Sequence, residues 1–168
     1  LYDFNIQEIP AQDIDDVSVS STKIRKALKE GNLKTANNYL GYYYMLSGTV
    51  VNGKKLGGTI GFPTANIEIK EPYKLIPSRG VYIIRTRING DLYNGIMNIG
   101  FNPTVLGKHQ TIEAHLFDFN ENIYGEKIKI EFLYFLREEQ KFKSVEELVA
   151  QLNIDKENAI SFLSNNTR

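Results

Sequence analysis

Residues 81–99 read VYIIRTRINGDLYNGIMNI, and this stretch decides the fold class. From Val81 to Ile88 the chain is rich in β-branched residues, the composition of a strand. Asn89-Gly90 follows, and both residue types tolerate the positive φ that a two-residue type I′ turn demands. The segment from Leu92 to Ile99 is therefore expected to return antiparallel to the first run.

Working outward, SGTVV (47–51) ends at Asn52-Gly53, a second dipeptide suited to a type I′ hairpin turn. TIEAHLF (111–117) and KIKIEFLYFL (127–136) are two more strands, joined by a loop carrying Asn120, Asn122 and Gly125. Strands so close, with short turns, predict a small antiparallel, Greek-key-like β-barrel, closed or nearly so. Helical patterns flank it. Ahead of it, Ser21 or Thr22 is placed to cap a helix with Ile24, Ala27 and Leu28 on one face and Gly31 as its stop. Leu33, Ala36, Asn37 and Leu40, closed by Gly41, suggest a second. Behind it, Ser144 and Glu147 form a capping box before the stripe Val145, Leu148, Val149 and Leu152. Asp155 can cap a last helix through Ile160 and Leu163. The reading is mainly β: a barrel domain over 42–168 with C-terminal helices packed on it, and a short helical N-terminal appendage over 1–41.

Composition narrows the function classes. The 168 residues hold 20 basic and 20 acidic side chains, so overall charge gives no reason to expect a nucleic-acid or membrane-surface partner. There is no cysteine, which excludes disulfides, thiolate catalysis and sulfur-built zinc sites. No apolar run approaches the roughly 20 residues that span a bilayer. The opening LYDFNIQEIP has neither a basic n-region nor an apolar h-region and does not begin with Met, so the expectation is a cytoplasmic fragment of a longer chain.

Two places carry possible chemistry. Strand alternation in TIEAHLF puts Glu113 on one face with His115, away from Ile112, Ala114 and Leu116. A carboxylate so placed can be a general base, a salt-bridge partner or one polar group on a wet sheet face. His115 by itself reads more readily as a hydrogen-bonding structural residue than as a catalyst. The second place is GGTIGFPTAN (57–66). It is neither a Walker loop nor a dinucleotide fingerprint. Gly53, Gly57, Gly58 and Gly61 nonetheless make an arch containing Lys54 and Lys55, either a nest for phosphate oxygens or an ordinary surface hairpin.

Three blocks, VVNGKKLGGTIGFPTANI, GVYIIRTRINGDLYNGIMNIGFNPT and TIEAHLFDFNENIYGEKIKIEFLYFLREEQKFKS, together resemble the riboflavin kinase family over about residues 42 to 164. VSSTKIRKAL (19–28) is similar to the closing motif of the FMN adenylyltransferase module that precedes the kinase in bacterial bifunctional FAD synthases. The resemblance implies ATP-dependent phosphorylation of the terminal ribityl hydroxyl of riboflavin, giving FMN and ADP. It implies Glu113 as the catalytic base, Thr64 and Asn66 as ligands of Mg²⁺ (with Zn²⁺ as the other metal to consider), and Pro63 as the residue holding their turn. It further implies that Gly53, Lys54, Gly57, Gly58, Gly61 and Asn98 meet ATP, with Asn102 close to the nucleotide, and that Arg137 meets the flavin. Two positions depart from the family pattern: Gly58 stands where many relatives carry Arg or Lys, and Glu138 stands where a proline is usual.

The glycine arch and FNPTVLGKH (101–109) are expected to be mobile flaps, both being rich in Gly, Asn or Pro. The competing class is a non-catalytic barrel that binds flavin or single-stranded nucleic acid, kept open by ten tyrosines and nine phenylalanines. A complete bifunctional synthase does not fit the length. The expected partners are riboflavin, ATP and, in a longer protein, an upstream adenylyltransferase domain, with no nucleic acid and no membrane.

Overall fold

The computed structural model of the chain describes residues 13–14, 17–52, 58, 60–104 and 107–166. Two short strands, β1 (Asp13–Ile14) and β2 (Val17–Ser18), pair with each other. Helices α1 (Ser21–Lys29) and α2 (Leu33–Leu40) follow. The cap of α1 is Ser20, one residue earlier than the expected pair, because its hydroxyl reaches the Lys23 N–H. Gly41 closes α2 at φ 74°, a left-handed conformation that glycine adopts without a Cβ penalty.

Six strands then close into an antiparallel barrel: β3 (Tyr44–Val51), β4 (Ala65–Glu68), β5 (Gly80–Ile88), β6 (Asp91–Thr104), β7 (Gly107–Leu116) and β8 (Lys127–Arg137). Around the barrel their order is β3-β4-β7-β6-β5-β8. The β5–β6 hairpin is as the sequence predicts, with Asn89 at φ 52° and Gly90 at φ 94° between the paired Ile88 and Asp91. Tyr82, Ile84 and Ile88 point into the barrel, whereas Val81 and Ile83 are buried outside it, in a second cluster with Ile96, Phe117 and Ala159. Both faces of β5 are covered, which accounts for its nearly unbroken apolar run.

The cover on the outer face is α3 (Val145–Asn165). Half of the expected capping box forms: the Ser144 hydroxyl accepts from the Glu147 N–H, whereas the Glu147 carboxylate accepts from the Lys143 N–H, one residue before the cap. The C-terminal region is one continuous helix rather than two. Asp155, expected to start a second helix, lies inside α3 with 1% of its surface exposed.

One hairpin expectation needs correction. Val51 pairs with Asn66, so β3 and β4 are joined by a long connection over 52–64 and not by a tight turn at Asn52-Gly53. Gly53, Lys54, Lys55, Gly57 and Thr59 lie outside the described residues. Of the FNPTVLGKH stretch, residues 101–104 of β6 pair with 107–110 of β7, and Val105 and Leu106 lie outside the described residues.

The N-terminal helices share the barrel's own core, where Leu28, Leu33 and Ala36 are buried with Leu46, Tyr82 and Phe132. Hydrogen bonds continue the seam: Ser78 N–H donates to the Leu28 carbonyl, and the Asn37 amide donates to the Phe132 carbonyl.

Candidate active site

The barrel's register assembles the polar residues. Asn66 on β4 pairs with Glu113 on β7, Glu113 with Asn98 on β6, Asn98 with Val81 on β5, and Val81 with Arg137 on β8. One row thus crosses five strands. Neighbouring Ile67, Met97, Ile99, Ile112 and Ala114 belong to the core, so by alternation the row faces outward. Strands lie about 4.8 Å apart, so Glu113 stands between two amides at roughly that spacing. The sequence places these residues in separate segments, and only the barrel's strand order makes them neighbours.

The turn before β4 adds Thr64. Gly61, at φ 81°, swings the chain so that Phe62 is buried, and Pro63 leads into Thr64. The Thr64 hydroxyl points to Glu113 Oε2 at 3.4 Å, longer than an ordinary O–H···O hydrogen bond. Thr64, Asn66 and Glu113 are therefore brought together. Gly58 is exposed, and a Cβ built there meets nothing within 4 Å, so a larger side chain would have room.

Arg137 is fixed at the end of β8. Its Nε and Nη2 donate to Asp155 at 2.8 and 2.6 Å, and Nη1 donates to the Glu138 carbonyl at 2.9 Å. Gln151 donates to the same carboxylate at 2.9 Å. A guanidinium has five N–H donors, so two remain for a ligand. Asp155 is the residue that the sequence reading missed in this role. Its partner is 18 positions away on another element, and an Asp in a helical stretch reads locally as a cap.

Two cavities meet at Thr64. One, about 290 Å³, lies between the outer barrel face and α3 and is lined by Phe62, Asn98, Glu113, His115, Arg137 and Leu152 among others. The other, about 350 Å³, is lined by Val50, Pro63, Ala65 and the segment from Phe119 to Tyr124. Asn98 opens into the first. Asn102 lies on the β6–β7 ribbon opposite His109.

A closed barrel with an acid flanked by amides in the lining of a helix-covered cavity has the features of a small-molecule site. The family model for flavokinase, riboflavin kinase, matches residues 40–163. The chain belongs to the riboflavin kinase family and carries its kinase module. It is 44% identical over 153 residues to the bifunctional riboflavin kinase/FMN adenylyltransferase of Bacillus subtilis, covering 89% of this chain and 48% of that protein. It is 43% identical over 162 residues to the enzyme of the same name from Listeria monocytogenes, covering 96% and 51%. The chain spans about half the length of the curated relatives it matches. Among solved structures, a chain described as a macrolide-efflux protein from Streptococcus pneumoniae superposes with a TM-score of 0.83 at 36% identity, over 95% of this chain and 51% of that one. Riboflavin kinase from Trypanosoma brucei superposes with a TM-score of 0.50 at 26% identity, over 73% and 80%. Among the described residues no helix is long and apolar enough to cross a membrane.

Proposed function

We propose that this protein transfers the γ-phosphoryl group of ATP to the terminal ribityl hydroxyl of riboflavin, yielding FMN and ADP. The observation that carries the reading is the register row: metal-ligand, base and nucleotide candidates stand side by side as Asn66, Glu113 and Asn98, with the flavin candidate Arg137 one strand beyond Val81. The flavin occupies the cavity under α3, where apolar side chains face its rings and Arg137 offers two free donors. The nucleotide approaches from the other side of Thr64, with Gly53, Lys54, Gly57, Gly58 and Gly61 as its candidate contacts. Glu113 then sits where donor and acceptor meet. It accepts the hydroxyl proton as that oxygen bonds to the γ-phosphorus and the bond to the β,γ-bridging oxygen breaks, releasing ADP. Phosphoryl transfer needs mainly alignment and charge neutralisation, so a positioned carboxylate with a backbone cradle is a sufficient protein contribution.

The donors present suit a hard cation. Thr64 supplies a hydroxyl, Asn66 an amide oxygen and Glu113 a neighbouring carboxylate, while the chain has no thiol. Among the described residues no group of three or more His, Cys, Asp or Glu converges. Such a set favours Mg²⁺, which takes its other ligands from phosphate and water, over Zn²⁺. Bound there with ATP, the ion supplies charge neutralisation at the transferred phosphoryl group.

Residues 1–41 are read as the tail of an adenylyltransferase module and 42–168 as the kinase domain, working in the cytoplasm beside that upstream domain in a longer protein. Incubation with riboflavin, ATP and Mg²⁺, followed by chromatography, tests the whole reading. FMN and ADP are expected in equal amounts without FAD. Absence of FMN refutes the kinase assignment, and an FAD peak growing with protein concentration refutes the assignment of kinase activity alone.

A further inference from the structure

His115 stands two residues past Glu113, and the reaction above gives it no part. It is buried, at 9% exposure, with its ring close to two others, Phe62 at 5.2 Å and Phe117 at 5.8 Å between centroids. Its Nδ1 lies 2.8 Å from the Pro63 carbonyl oxygen. A carbonyl only accepts, so Nδ1 carries the proton in this bond.

The bond falls where the sheet stops supplying its own. The β4–β7 pairing ends at Ala65 opposite Ala114, and Phe62, Pro63 and Thr64 lie before β4 begins. Proline has no N–H, so the Pro63 carbonyl is the only main-chain polar group of that residue available for a tether. His115, next to Ala114 on β7, reaches it with a side chain. Burial, reinforced by the nearby Lys156 ammonium and opposed by the carbonyl bond, holds the imidazole below its ordinary range, which favours the neutral ring.

We propose that His115 is a positioning residue of the turn: as the Nδ1–H tautomer it tethers the Pro63 carbonyl, extends the β4–β7 pairing by one side-chain bond, and so fixes Thr64 against Glu113 without taking part in proton transfer. The functional half of this rests on Thr64 serving the Mg²⁺–nucleotide complex. The tether itself does not.

Nitrogen-15 NMR of the imidazoles at neutral pH reads the tautomer directly, with His109→Gln used to assign the two histidines. A protonated Nδ1 and bare Nε2 are expected, and an Nε2–H tautomer overturns the proposal whatever the variants do. His115→Asn places an amide nitrogen at the Nδ1 position, whereas His115→Gln reaches toward the Nε2 position instead. With Mg²⁺ present, the Asn variant is expected to keep ADP affinity within about threefold and the Gln variant to lose about tenfold, the size of one lost buried hydrogen bond. Riboflavin affinity should stay nearly constant in both. Equal losses in the two variants, or none in the Gln variant, overturn the positioning role. Thr64→Ala measured alongside keeps the two readings apart. If it leaves Mg²⁺-dependent ADP affinity unchanged, the metal assignment falls, and the tautomer signal alone upholds or overturns the tether.

Discussion

At the scale of the residue, Glu113 is a half-buried carboxylate with an asparagine on the strand at either side and a threonine hydroxyl within reach. Glu113→Gln keeps the shape and the acceptor for Thr64 but removes the base. General-base loss costs about 10² to 10⁴ in rate, or roughly 3 to 5 kcal/mol of barrier. Riboflavin and ADP affinities should move far less, because the loss falls on the transition state. Single-turnover FMN formation beside flavin-binding fluorescence measures both, and turnover within about threefold of wild type would make Glu113 a structural group. On the proposed reading, Thr64→Ala and Asn66→Ala belong to the nucleotide side. Each should weaken ADP binding about tenfold or more with Mg²⁺ present, the worth of a hydrogen bond to a charged group, and do little once the metal is chelated. Titration calorimetry separates the cases, and equal losses under both conditions would mark a structural turn. Glu113 was legible because period-two alternation sorts a strand's faces without knowledge of the fold. The resemblance named Asn66 and Asn98, but that they flank Glu113 was not legible, since strand alternation alone says nothing about which strands become neighbours.

At the scale of the element, α3 shows tertiary pairing overriding a local signal. The sequence Asn153-Ile154-Asp155 invites a helix start, because Asp competes for backbone N–H groups and favours caps. Instead the helix runs through, and the carboxylate bonds Arg137 in two places with Gln151 as a third donor. Capping at Ser144 and the stop at Gly41 were readable because their partners lie within four residues. The ion pair was not, because its partner lies on a strand. Breaking a buried pair by removing one charge costs about 3 to 5 kcal/mol. Asp155→Asn retains volume and one acceptor, so about 3 kcal/mol is expected, roughly 6 to 12 °C in a domain of this size. The same variant should raise the KM for riboflavin, since Arg137 loses its fixed direction, and leave ADP affinity intact. A thermal melt with steady-state kinetics decides it. An unchanged flavin KM in a destabilised variant would place Arg137 outside the substrate contacts.

At the scale of the whole molecule, the question is whether the two N-terminal helices are an appendage or part of the barrel. The sequence suggested a boundary after Gly41, where helical spacing gives way to β-branched runs, and texture of that kind reports local conformation only. Burial reports something else. Leu28 and Leu33 are each 2% exposed, and Ala36 is fully buried in the core that also holds Tyr82 and Phe132. The Leu28 carbonyl accepts from the Ser78 N–H, and the Ser78 carbonyl in turn accepts from the Tyr82 hydroxyl inside the barrel. If the helices complete the core, Leu28→Ala should destabilise the barrel itself by about 2 to 5 kcal/mol, the usual range for emptying a buried leucine site. The chain has no tryptophan, so near-ultraviolet circular dichroism from its tyrosines is the probe of barrel packing. Urea unfolding followed by that signal and by far-ultraviolet ellipticity should give one shared transition in both proteins, shifted to lower urea in the variant with an unchanged slope. The activity of folded Leu28→Ala should remain near wild type, since the site row lies on the barrel's outer face and Leu28 packs in the core within. A tyrosine transition that stays at the wild-type midpoint while helical signal is lost earlier would show the helices to be separable, and the barrel to stand without them.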